Sequence, residues 1–592
     1  MAVGTGILTG ALVLGAAWAT VAVLPPRGIV SPAPQAQDAA RQLQEASEIV
    51  IASDDERLPE GSFYVGAADE SIAPISVADG GNWIRHGKDG DCSGPSQAYT
   101  PFSNPSCLRT FDSNWATGVD EAHDLGIYAR ALAISNGETT IAFAALDTVS
   151  WFYGYDPKFC PDDPAALLPN DTCGSRAIAE DLSADLGIPA SNFVIAATHT
   201  HASGDTAMGS PSWYFELVRD ATKTAITKAV ENMQLAELQT GAVPAKVFNT
   251  DRRIITRAVP DYEMTWLRAI AAPPSAGEPG PVPPGKTIST LVNYSVHTTV
   301  TAGNKDLHSG FVGHLAQRLN ESWGGNTVFI PGGLGDQTVN RGFGRDGHGY
   351  GLAELVLKSA EQTGYTLRSN GIITEQRIIT VPADNLSLVA ANKGGVFVRD
   401  TTIPGPHADG PSQSVQVKAD ARTPSCSGSS PISAKTPVGG FVIGTPGSGD
   451  PKIDPDGYQG DALAIMQAPG EIFASISLVT KDYMSRTRNV MVMGMANDHL
   501  GYIIPSEQYD VRSANAAGIG QPSVRTFNYE ESLSTGRCTG DQVQNALIEV
   551  GDALGLLGRG EKTTCTLTDP AALTDPNEYP PNEPNRRCQL EP

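Results

Sequence analysis

The sequence predicts one large α/β domain over residues 61–560, built on mixed or parallel sheets with helices and loop insertions. Two observations carry this prediction. Apolar strand patterns alternate along the chain with helical patterns, which is typical of α/β folds. The chain also has 592 residues, of which 40% are hydrophobic, so it is long enough to bury a large core.

The strand patterns begin with a hairpin. Residues 131–147 hold two apolar runs on either side of Asn136-Gly137, and Asn-Gly between apolar runs is the strongest short-range hairpin signal. The apolar run 193–196 predicts a buried strand, and residues 287–297 predict another.

Two helices are predicted between these strands. Residues 175–187 predict a helix with Ser175 as its candidate N-cap and Gly187 as its C-terminal stop. Residues 213–233 repeat apolar side chains at helical spacing. Each helix precedes a strand pattern, so the order of elements agrees with an α/β domain.

Other segments carry too little apolar material for a core. Residues 272–286 and the Gly/Pro/Ser-rich region 402–460 are predicted to be inserted surface loops. Residues 31–60 are predicted to be a polar stalk or linker, and residues 561–592 a Pro/Asn-rich tail.

The N-terminal residues 1–30 predict export. An uncharged apolar run at 4–24 matches the roughly 20 residues that span a bilayer as a helix. No Lys or Arg precedes this run and no small-x-small cleavage site follows it, which favours an anchor over a signal peptide. We therefore expect an extracellular or cell-surface protein, either secreted or anchored, with the membrane surface as a partner.

Charge and cysteine content narrow the functions further. The net charge of −24 comes from 41 basic and 65 acidic residues, so a polyanion such as nucleic acid is not expected as a partner. The eight cysteines form no CxxC pair, which argues against structural zinc and for disulfides after export. Proximity suggests three bridges: Cys92/Cys107, Cys160/Cys173 and Cys538/Cys565.

The stretch ATHTHASGD, residues 197–205, supplies two candidate metal ligands. Residues i and i+2 of a strand share a face, so His199 and His201 can converge where the predicted strand ends. His297 follows a second strand pattern in the same way, and Glu471 follows a Pro-Gly turn. Locally, histidines hydrogen-bonded into a polar turn explain the His199/His201 pair equally well. A structural role for His297 and an ordinary helix-start acid for Glu471 are favoured when each residue is taken alone.

Several short motifs occur in the order seen in neutral ceramidases. They span most of the chain between Phe63 and Leu557: YVGAADESIAP, FVIAATHTH, VNYSVH, NKDLHSGFVGH, GGLGDQTVN, APGE, GMANDHLGYIIPSEQY and YEESLS. The chain therefore resembles the neutral ceramidase family.

This resemblance implies a zinc site and a substrate pocket. By the resemblance, the zinc ligands are His199, His297, Glu471 and Tyr509. His201 is implied as the acid or base that contacts the attacking water or the departing amine. Arg252 is implied to contact substrate, with Arg253 as a substitute, and Tyr529 is implied as a further pocket residue. The implied reaction is hydrolysis of a lipid N-acyl amide such as ceramide, assisted by zinc.

The chain departs from the family pattern in three places. Thr338, in GDQTVN, stands where the family keeps a catalytic serine, so the hydroxyl is retained and a methyl is added. Asp205 adds a carboxylate to the loop after His201, where we expect an exposed turn acid rather than a second cation site. No C-terminal immunoglobulin-like domain is expected.

Alternative functions remain open at this point. One is a zinc hydrolase that acts on another N-acyl amide or ester. A second is a divergent relative that binds lipid without turnover. A serine hydrolase is disfavoured, because the sequence contains no GxSxG motif.

Overall fold

The fold is known from a computed structural model. It describes residues 58–76, 126–155, 173–207, 212–253, 260–274, 280–299, 306–383, 433–448, 460–509 and 529–557, with 82–83, 118–119 and single residues at 108, 210, 385 and 388. All of them lie in the compact unit Arg57–Pro592.

The described residues form strands that fall into two large groups and several short pairs. The strands are β1 (Ser62–Ser71), β2 (Ile75–Ser76), β3 (Asn82–Trp83), β4 (Gly118–Val119), β5 (Tyr128–Ser135), β6 (Thr140–Leu146), β7 (Phe193–Ala197), β8 (Gln234–Pro244), β9 (Asn249–Asp251), β10 (Glu263–Ala271), β11 (Thr287–Tyr294), β12 (Asp306–Leu307), β13 (Asn326–Pro331), β14 (Gln337–Val339), β15 (Tyr365–Thr366), β16 (Ile372–Pro382), β17 (Ser433–Ile443), β18 (Leu463–Gln467), β19 (Glu471–Ile472), β20 (Asn489–Met493) and β21 (Tyr502–Ile503).

The helices lie between these strands. The α-helices are α1 (Ser175–Leu186), α2 (Ser212–Glu231), α3 (Phe311–Trp323), α4 (Gly344–Gln362), α5 (Ala474–Tyr483) and α6 (Thr539–Ala553). Single 3-10 turns occur at Ala190–Asn192, Lys246–Phe248, Arg341–Phe343, Ser506–Gln508 and Glu530–Leu533.

The main sheet is mixed, as the sequence predicted. Its order is β13-β11-β10-β8-β1-β5-β6-β7, with β15 paired to β8. The pairs β11/β13 and β6/β7 are parallel, and the other pairs are antiparallel. The two strands predicted to carry histidines at their ends, β7 and β11, thus lie near opposite edges of this sheet.

A second sheet has the order β16-β17-β18-β20, with β18 and β20 parallel. The prediction of a surface loop over 402–460 is wrong here, because β17 lies inside it and Phe441 is fully buried. Gly440 explains the misleading composition: a Cβ there would lie 3.0 Å from the carbonyl oxygen of Ile465. Glycine in this strand permits close approach of a neighbour rather than marking a loop.

The two sheets pack face to face. Phe143 of β6 and Phe441 of β17 meet edge to face, with ring centroids 5.7 Å apart. Along β5, Leu132 and Ile134 face the second sheet, while Ala131 and Ala133 face the helices, as expected from the alternation of a strand. The main sheet therefore has a buried apolar surface on both faces.

Helices cover the outer faces of both sheets, which gives a four-layer α/β domain. On the main sheet, α1 and α2 pack over one part and α3 and α4 over another. On the second sheet, α5 and α6 pack through side chains such as Ile476 and Leu547. The buried loops between the layers carry the polar residues described below.

The predicted hairpin and helices are confirmed. β5 and β6 pair around Asn136-Gly137, and Gly137 has φ 89°. Gly187 ends α1 with φ 69° and donates its N–H to the carbonyl oxygen of Ser183. Ser175 is not the N-cap: Gly174 takes that place, and the Ser175 hydroxyl donates to the carbonyl oxygen of Asn497 instead.

Some predictions fall outside the described residues. These are the apolar run 4–24, residues 31–57 of the stalk, the C-terminal tail and residues 402–432. Four of the six cysteines in the three suggested bridges also lie outside, all but Cys173 and Cys538. Neither Cys173 nor Cys538 has a free thiol. Within the described part of the chain, no helix is long and apolar enough to cross a membrane.

Candidate metal centre

His199 lies just beyond the end of β7 in a strained backbone conformation. Its φ is +64°, in the left-handed region that non-glycine residues seldom adopt. Its Nδ1 lies 2.6 Å from the carbonyl oxygen of Val149, which can only accept, so Nδ1 carries the proton and Nε2 is free to bind. The strand β7 ends at Ala197, two residues before His199. The alternation of side chains along a strand, on which the prediction for His199 and His201 relied, therefore does not determine the position of His199.

His297 enters the same space from the other edge of the main sheet. The strand β11 ends at Tyr294, three residues earlier than predicted. Nδ1 of His297 lies 2.6 Å from the carbonyl oxygen of Leu334 and 2.8 Å from that of Gln337, so Nε2 is the unprotonated nitrogen. The Thr298 hydroxyl donates to the carbonyl oxygen of Thr198 at 3.0 Å, which joins the two histidine segments.

Glu471 completes a group of three. It begins the short strand β19, which pairs in parallel with β21, and it follows Gly470, whose φ of 148° favours glycine. Glu471 Oε2 lies 2.9 Å from Nε2 of His297 and 3.6 Å from Nε2 of His199. The three ligand atoms all lie within 4.8 Å of one another.

The protonation states of this group suit a cation. Burial lowers the pKa of His297 to about 4, and burial also lowers that of His199 well below its ordinary value. Burial alone would raise the pKa of Glu471, but the surrounding histidines bring it well below its ordinary value. Neutral imidazoles beside an ionised carboxylate are the forms in which these side chains bind metals.

Two buried atoms of the group also lack protein partners. His297 Nε2 and Glu471 Oε2 form no hydrogen bond with any described residue. A buried polar atom without a partner is costly. A metal ion bound by His199, His297 and Glu471 would satisfy both atoms, so the residues fit such an ion.

His201 lies beside this group, as the sequence predicted. Its Nε2 is 3.4 Å from Nε2 of His199, and the ring centroids are 5.0 Å apart. The side chain is half-buried and lines a cavity of about 600 Å³. His201 therefore connects the candidate metal group with the space where a substrate could bind.

The same cavity brings together four of the predicted site residues. Its lining consists of His201, Thr250, Arg252, Thr299, Thr338, Val339, Asn340, Arg341 and Tyr529. One wall is the ribbon of β9 and β14, in which Thr338 pairs with Thr250. The hydroxyl oxygens of Thr338 and Thr299 lie 3.5 Å apart. The predicted catalytic and substrate-binding residues thus share one cavity.

Arg252 is held in place from several sides. Its Nη2 donates to the carbonyl oxygen of Gly335 at 2.7 Å and to the hydroxyl of Tyr502 at 2.9 Å. Its guanidinium also lies 5.3 Å from the ring centroid of Tyr529, and its Nε lies 3.3 Å from Oε1 of Glu530. Burial lowers the pKa of Arg252, but Tyr502, Tyr529 and Glu530 raise it more, so the charge is retained.

Arg253 is buried in an ion-pair cluster and, unlike Arg252, does not reach the cavity. It forms ion pairs with Glu530 at 3.2 Å and Glu531 at 2.7 Å, and its side chain is 1% exposed. These contacts fix the 3-10 turn that contains Tyr529 at its start. Arg252, not Arg253, lines the cavity.

The tyrosine predicted as a ligand and a second tyrosine lie close together. The hydroxyl of Tyr509 lies 3.4 Å from the carbonyl oxygen of Glu531, and its ring packs beside Phe473 and Tyr502. Tyr502 stacks against His297, with ring centroids 6.4 Å apart and an interplanar angle of 20°. The role of Tyr509 as a ligand stays a prediction, whereas Tyr502 is a site residue that the sequence analysis missed.

His499 was also missed. Its Nε2 lies 3.1 Å from Oε1 of Glu471, and its ring stacks on Phe152 at 5.8 Å with an interplanar angle of 14°. His499 lies in the motif GMANDHLGYIIPSEQY, which follows Glu471 in the sequence. A histidine inside a motif of the resemblance was the signal that could have identified it. His499 holds the Glu471 oxygen that does not face His297.

Asp205 is buried, whereas the sequence analysis predicted an exposed turn residue. It accepts from the backbone N–H of Ala207 at 3.2 Å, so it does shape a turn, but it is 1% exposed rather than exposed. The loop after His201 is held by two hydroxyl groups. The Thr206 hydroxyl donates to the carbonyl oxygen of Ser150, and the Ser210 hydroxyl donates to the carbonyl oxygen of Asp205. Asp205 is thus a buried turn residue.

Known proteins resemble this chain in its fold. No protein-family profile and no curated protein matches the chain. Among solved structures, a ceramidase complexed with C2 is similar at 14% identity and a TM-score of 0.53, over 83% of this chain and 75% of the other. The neutral ceramidase from Pseudomonas aeruginosa is similar at 15% identity and a TM-score of 0.53, over 85% and 76%. These similarities confirm the predicted resemblance at the level of the fold.

Proposed function

We propose that this protein is a zinc-dependent amide hydrolase that cleaves the N-acyl bond of ceramide-like lipids. The observation that carries the proposal is the buried group of His199, His297 and Glu471. Two of its ligand atoms lack a hydrogen-bond partner, and His201, which lies beside the group, lines a cavity. Ceramidases share the fold of this chain, which supports an amide of a lipid as the substrate.

A zinc ion held by His199, His297 and Glu471, with Tyr509 as a predicted fourth ligand, would supply Lewis acidity and lower the pKa of a bound water. The choice of zinc rests on the ligand types, because two imidazoles and one carboxylate with an open position are typical of catalytic zinc. The ligand nitrogens are oriented by backbone carbonyls of Val149, Leu334 and Gln337.

The other cavity residues would handle protons and the substrate. His201 is within reach of the reacting groups and would accept a proton from water and return it to the amine nitrogen. The Thr338 hydroxyl and the Arg252 guanidinium would donate to the oxygen that gains negative charge in the transition state. In the overall reaction, the oxygen of water bonds to the carbonyl carbon and the C–N bond breaks. The nitrogen gains a proton, so the products are a fatty acid and a sphingoid base.

The direct test uses purified full-length chain and a fluorescent ceramide. We expect hydrolysis that a chelator abolishes and that added zinc restores, and we expect Glu471→Gln to be inactive while still folded. The surface variant Arg176→Ala, on the exposed face of α1, serves as the matched control and should keep full activity. Hydrolysis that continues at full rate after metal removal would refute the zinc-dependent mechanism.

Two alternatives predict different results in the same assay. A zinc hydrolase of another N-acyl amide or ester would cleave other members of an acyl-amide and acyl-ester panel and leave ceramide intact. A lipid-binding protein without turnover would hold stoichiometric zinc and cleave none of the panel. Ceramide turnover at a rate above the other uncharged substrates is the result expected from our proposal.

We also propose that the protein is exported and works at or outside the cell surface. The apolar run 4–24 supports this proposal, together with a cysteine set that suits an oxidising compartment. Fractionation of cells that express the full chain tests it: the protein should be found in the membrane or medium fraction. Recovery in the soluble interior fraction alone would refute export.

A further inference from the structure

The described lining of the cavity is polar and positively charged. Five of its residues carry hydroxyl or amide groups, namely Thr250, Thr299, Thr338, Asn340 and Tyr529, and two carry guanidinium groups. None of the described lining residues is acidic. This composition contrasts with a net charge of −24 for the whole chain. A positive cavity in an acidic protein favours a negatively charged ligand group over a neutral one.

The two guanidinium groups differ in how their charge is balanced. Arg252 lies 3.3 Å from Glu530, so a carboxylate already neutralises it. Arg341 is exposed at the cavity, and none of the carboxylates in the described part of the chain forms an ion pair with it. Arg341 is therefore the lining group with a charge still available for a ligand.

Arg341 projects from a well-ordered turn. Asn340 caps the 3-10 turn Arg341–Phe343 by accepting from the backbone N–H of Gly342 at 3.1 Å, and its amide donates to the carbonyl oxygen of Val247. The ring of Phe343 packs on Phe248 at 4.9 Å between centroids. Because the backbone is held on both sides, ordering Arg341 on a ligand costs side-chain freedom but little backbone freedom.

We propose that Arg341 selects substrates whose amine half carries an anionic group, a carboxylate or a phosphate, for the amide hydrolysis of this site. This inference rests on the proposed function for the turnover step. Guanidinium groups bind both anions in bidentate geometry, so the two share one recognition chemistry. In this arrangement His201 and the candidate metal group face the amide, and Arg341 faces the charged group beyond it.

The test compares three short N-octanoyl amides that differ only in the amine half. N-octanoyl glycine carries a carboxylate, N-octanoyl phosphoethanolamine carries a phosphate, and N-octanoyl ethanolamine is neutral. We expect the wild-type chain to favour at least one anionic amide by about tenfold in kcat/KM. Arg341→Ala should reduce that preference roughly fivefold, as for an exposed ion pair, and Arg341→Lys should keep most of it. Arg176→Ala changes the net charge equally and should leave the preference unchanged.

Binding to the metal-free protein separates this inference from the proposed function. Calorimetry with the same three amides should show weaker binding of the anionic amides to Arg341→Ala, and equal binding of the neutral one. If no amide is hydrolysed but this binding difference is present, the hydrolase proposal fails and the Arg341 inference stands. Equal kcat/KM and equal affinity for anionic and neutral amides, or a preference that survives Arg341→Ala, would overturn the inference. The stronger of the two anionic amides identifies the carboxylate or phosphate as the preferred group.

Discussion

Nε2 of His499 lies 3.1 Å from Oε1 of Glu471, and Oε2 of Glu471 faces His297 at 2.9 Å. One oxygen of the carboxylate thus has a hydrogen-bond partner, and the other faces the candidate metal group. His499 fixes the rotation of the carboxylate, because its ring is in turn held by stacking on Phe152. This relationship makes His499 a positioning residue for the candidate metal ligand.

The first prediction concerns this contact. His499→Phe keeps a ring that can stack on Phe152 and removes the hydrogen bond, so the zinc affinity should fall by about 10- to 100-fold, as for other residues that orient ligands. His499→Gln retains a donor and should recover part of the loss. Competition with a chromophoric chelator measures the affinity. An unchanged zinc Kd in His499→Phe would show that Glu471 is oriented without His499.

The second prediction concerns a buried ion pair behind His199. Asp147 pairs with Arg130 at 2.5 Å and accepts from the Thr198 hydroxyl at 3.1 Å, next to the segment whose carbonyl orients His199. Asp147→Asn removes the main counter-charge of a buried guanidinium and leaves Asp69 as its remaining acidic neighbour, so the free energy of unfolding should fall by up to about 3–5 kcal/mol. Urea unfolding measures this loss. The control is Arg318→Ala, which breaks the exposed pair with Glu354 and should cost less than about 1 kcal/mol. Equal losses in the two variants would contradict the account of Asp147.

The third prediction concerns the pH dependence of stability. His348 is 0% exposed and lies among the rings of Phe248 and Phe311, and burial lowers its pKa to about 4. The unfolded chain binds a proton at His348 below its ordinary pKa of 6.5, whereas the folded chain does so only near pH 4. Stability from this residue is therefore complete above pH 6.5 and is lost as the pH falls towards 4, by about 3 kcal/mol at most.

His348→Phe tests the pH dependence. Urea unfolding at several pH values should show a smaller fall in stability between about pH 7 and about pH 4 for the variant than for the wild type. Both chains are measured without metal, because His199, His297 and Glu471 then take up protons in the same way in the wild type and the variant. Identical pH profiles for the two chains would contradict the assignment.

The fourth prediction concerns the hydroxyl of Thr338. It lines the cavity, and its oxygen lies 3.5 Å from that of Thr299. Thr338→Val preserves the shape of the side chain and removes the donor, so kcat should fall by about 100-fold or more if the hydroxyl stabilises the transition state. Thr338→Ser keeps the donor and should keep both zinc and activity. A Val variant as active as the wild type would exclude this role.

The sequence predicted the local elements of this fold well, because each depends on nearby residues. The hairpin around Asn136-Gly137 and the stop of α1 at Gly187 are set by turn and cap chemistry within a few positions. The sequence analysis missed the strand β17, because glycine and proline indicate a loop when only nearby residues are considered. The glycine at position 440 is needed because the backbone of Ile465, which is distant in sequence, packs closely against it.

The candidate site was predicted in its residue types and only partly in its geometry. The approach of His199 and His297 depends on tertiary structure, because the segments after β7 and β11 come from distant parts of the chain and are joined by the hydrogen bond from Thr298 to Thr198. The left-handed conformation of His199 is likewise set by tertiary contacts. Placement at strand ends and after a turn supplied the candidates His199, His297 and Glu471, and the resemblance to ceramidases added Tyr509. The positions of His499, Tyr502 and Arg341 at the site required the folded chain.

The most direct test of the account is the zinc content of the purified chain after loading and desalting, measured by inductively coupled plasma mass spectrometry. We predict one zinc per wild-type chain, one per chain in the control Thr338→Ser, and none in His199→Ala, His297→Ala or Glu471→Gln, with circular dichroism to show that each variant is folded. Full zinc occupancy in these three variants, or a folded wild-type chain that holds no zinc, would contradict the metal centre.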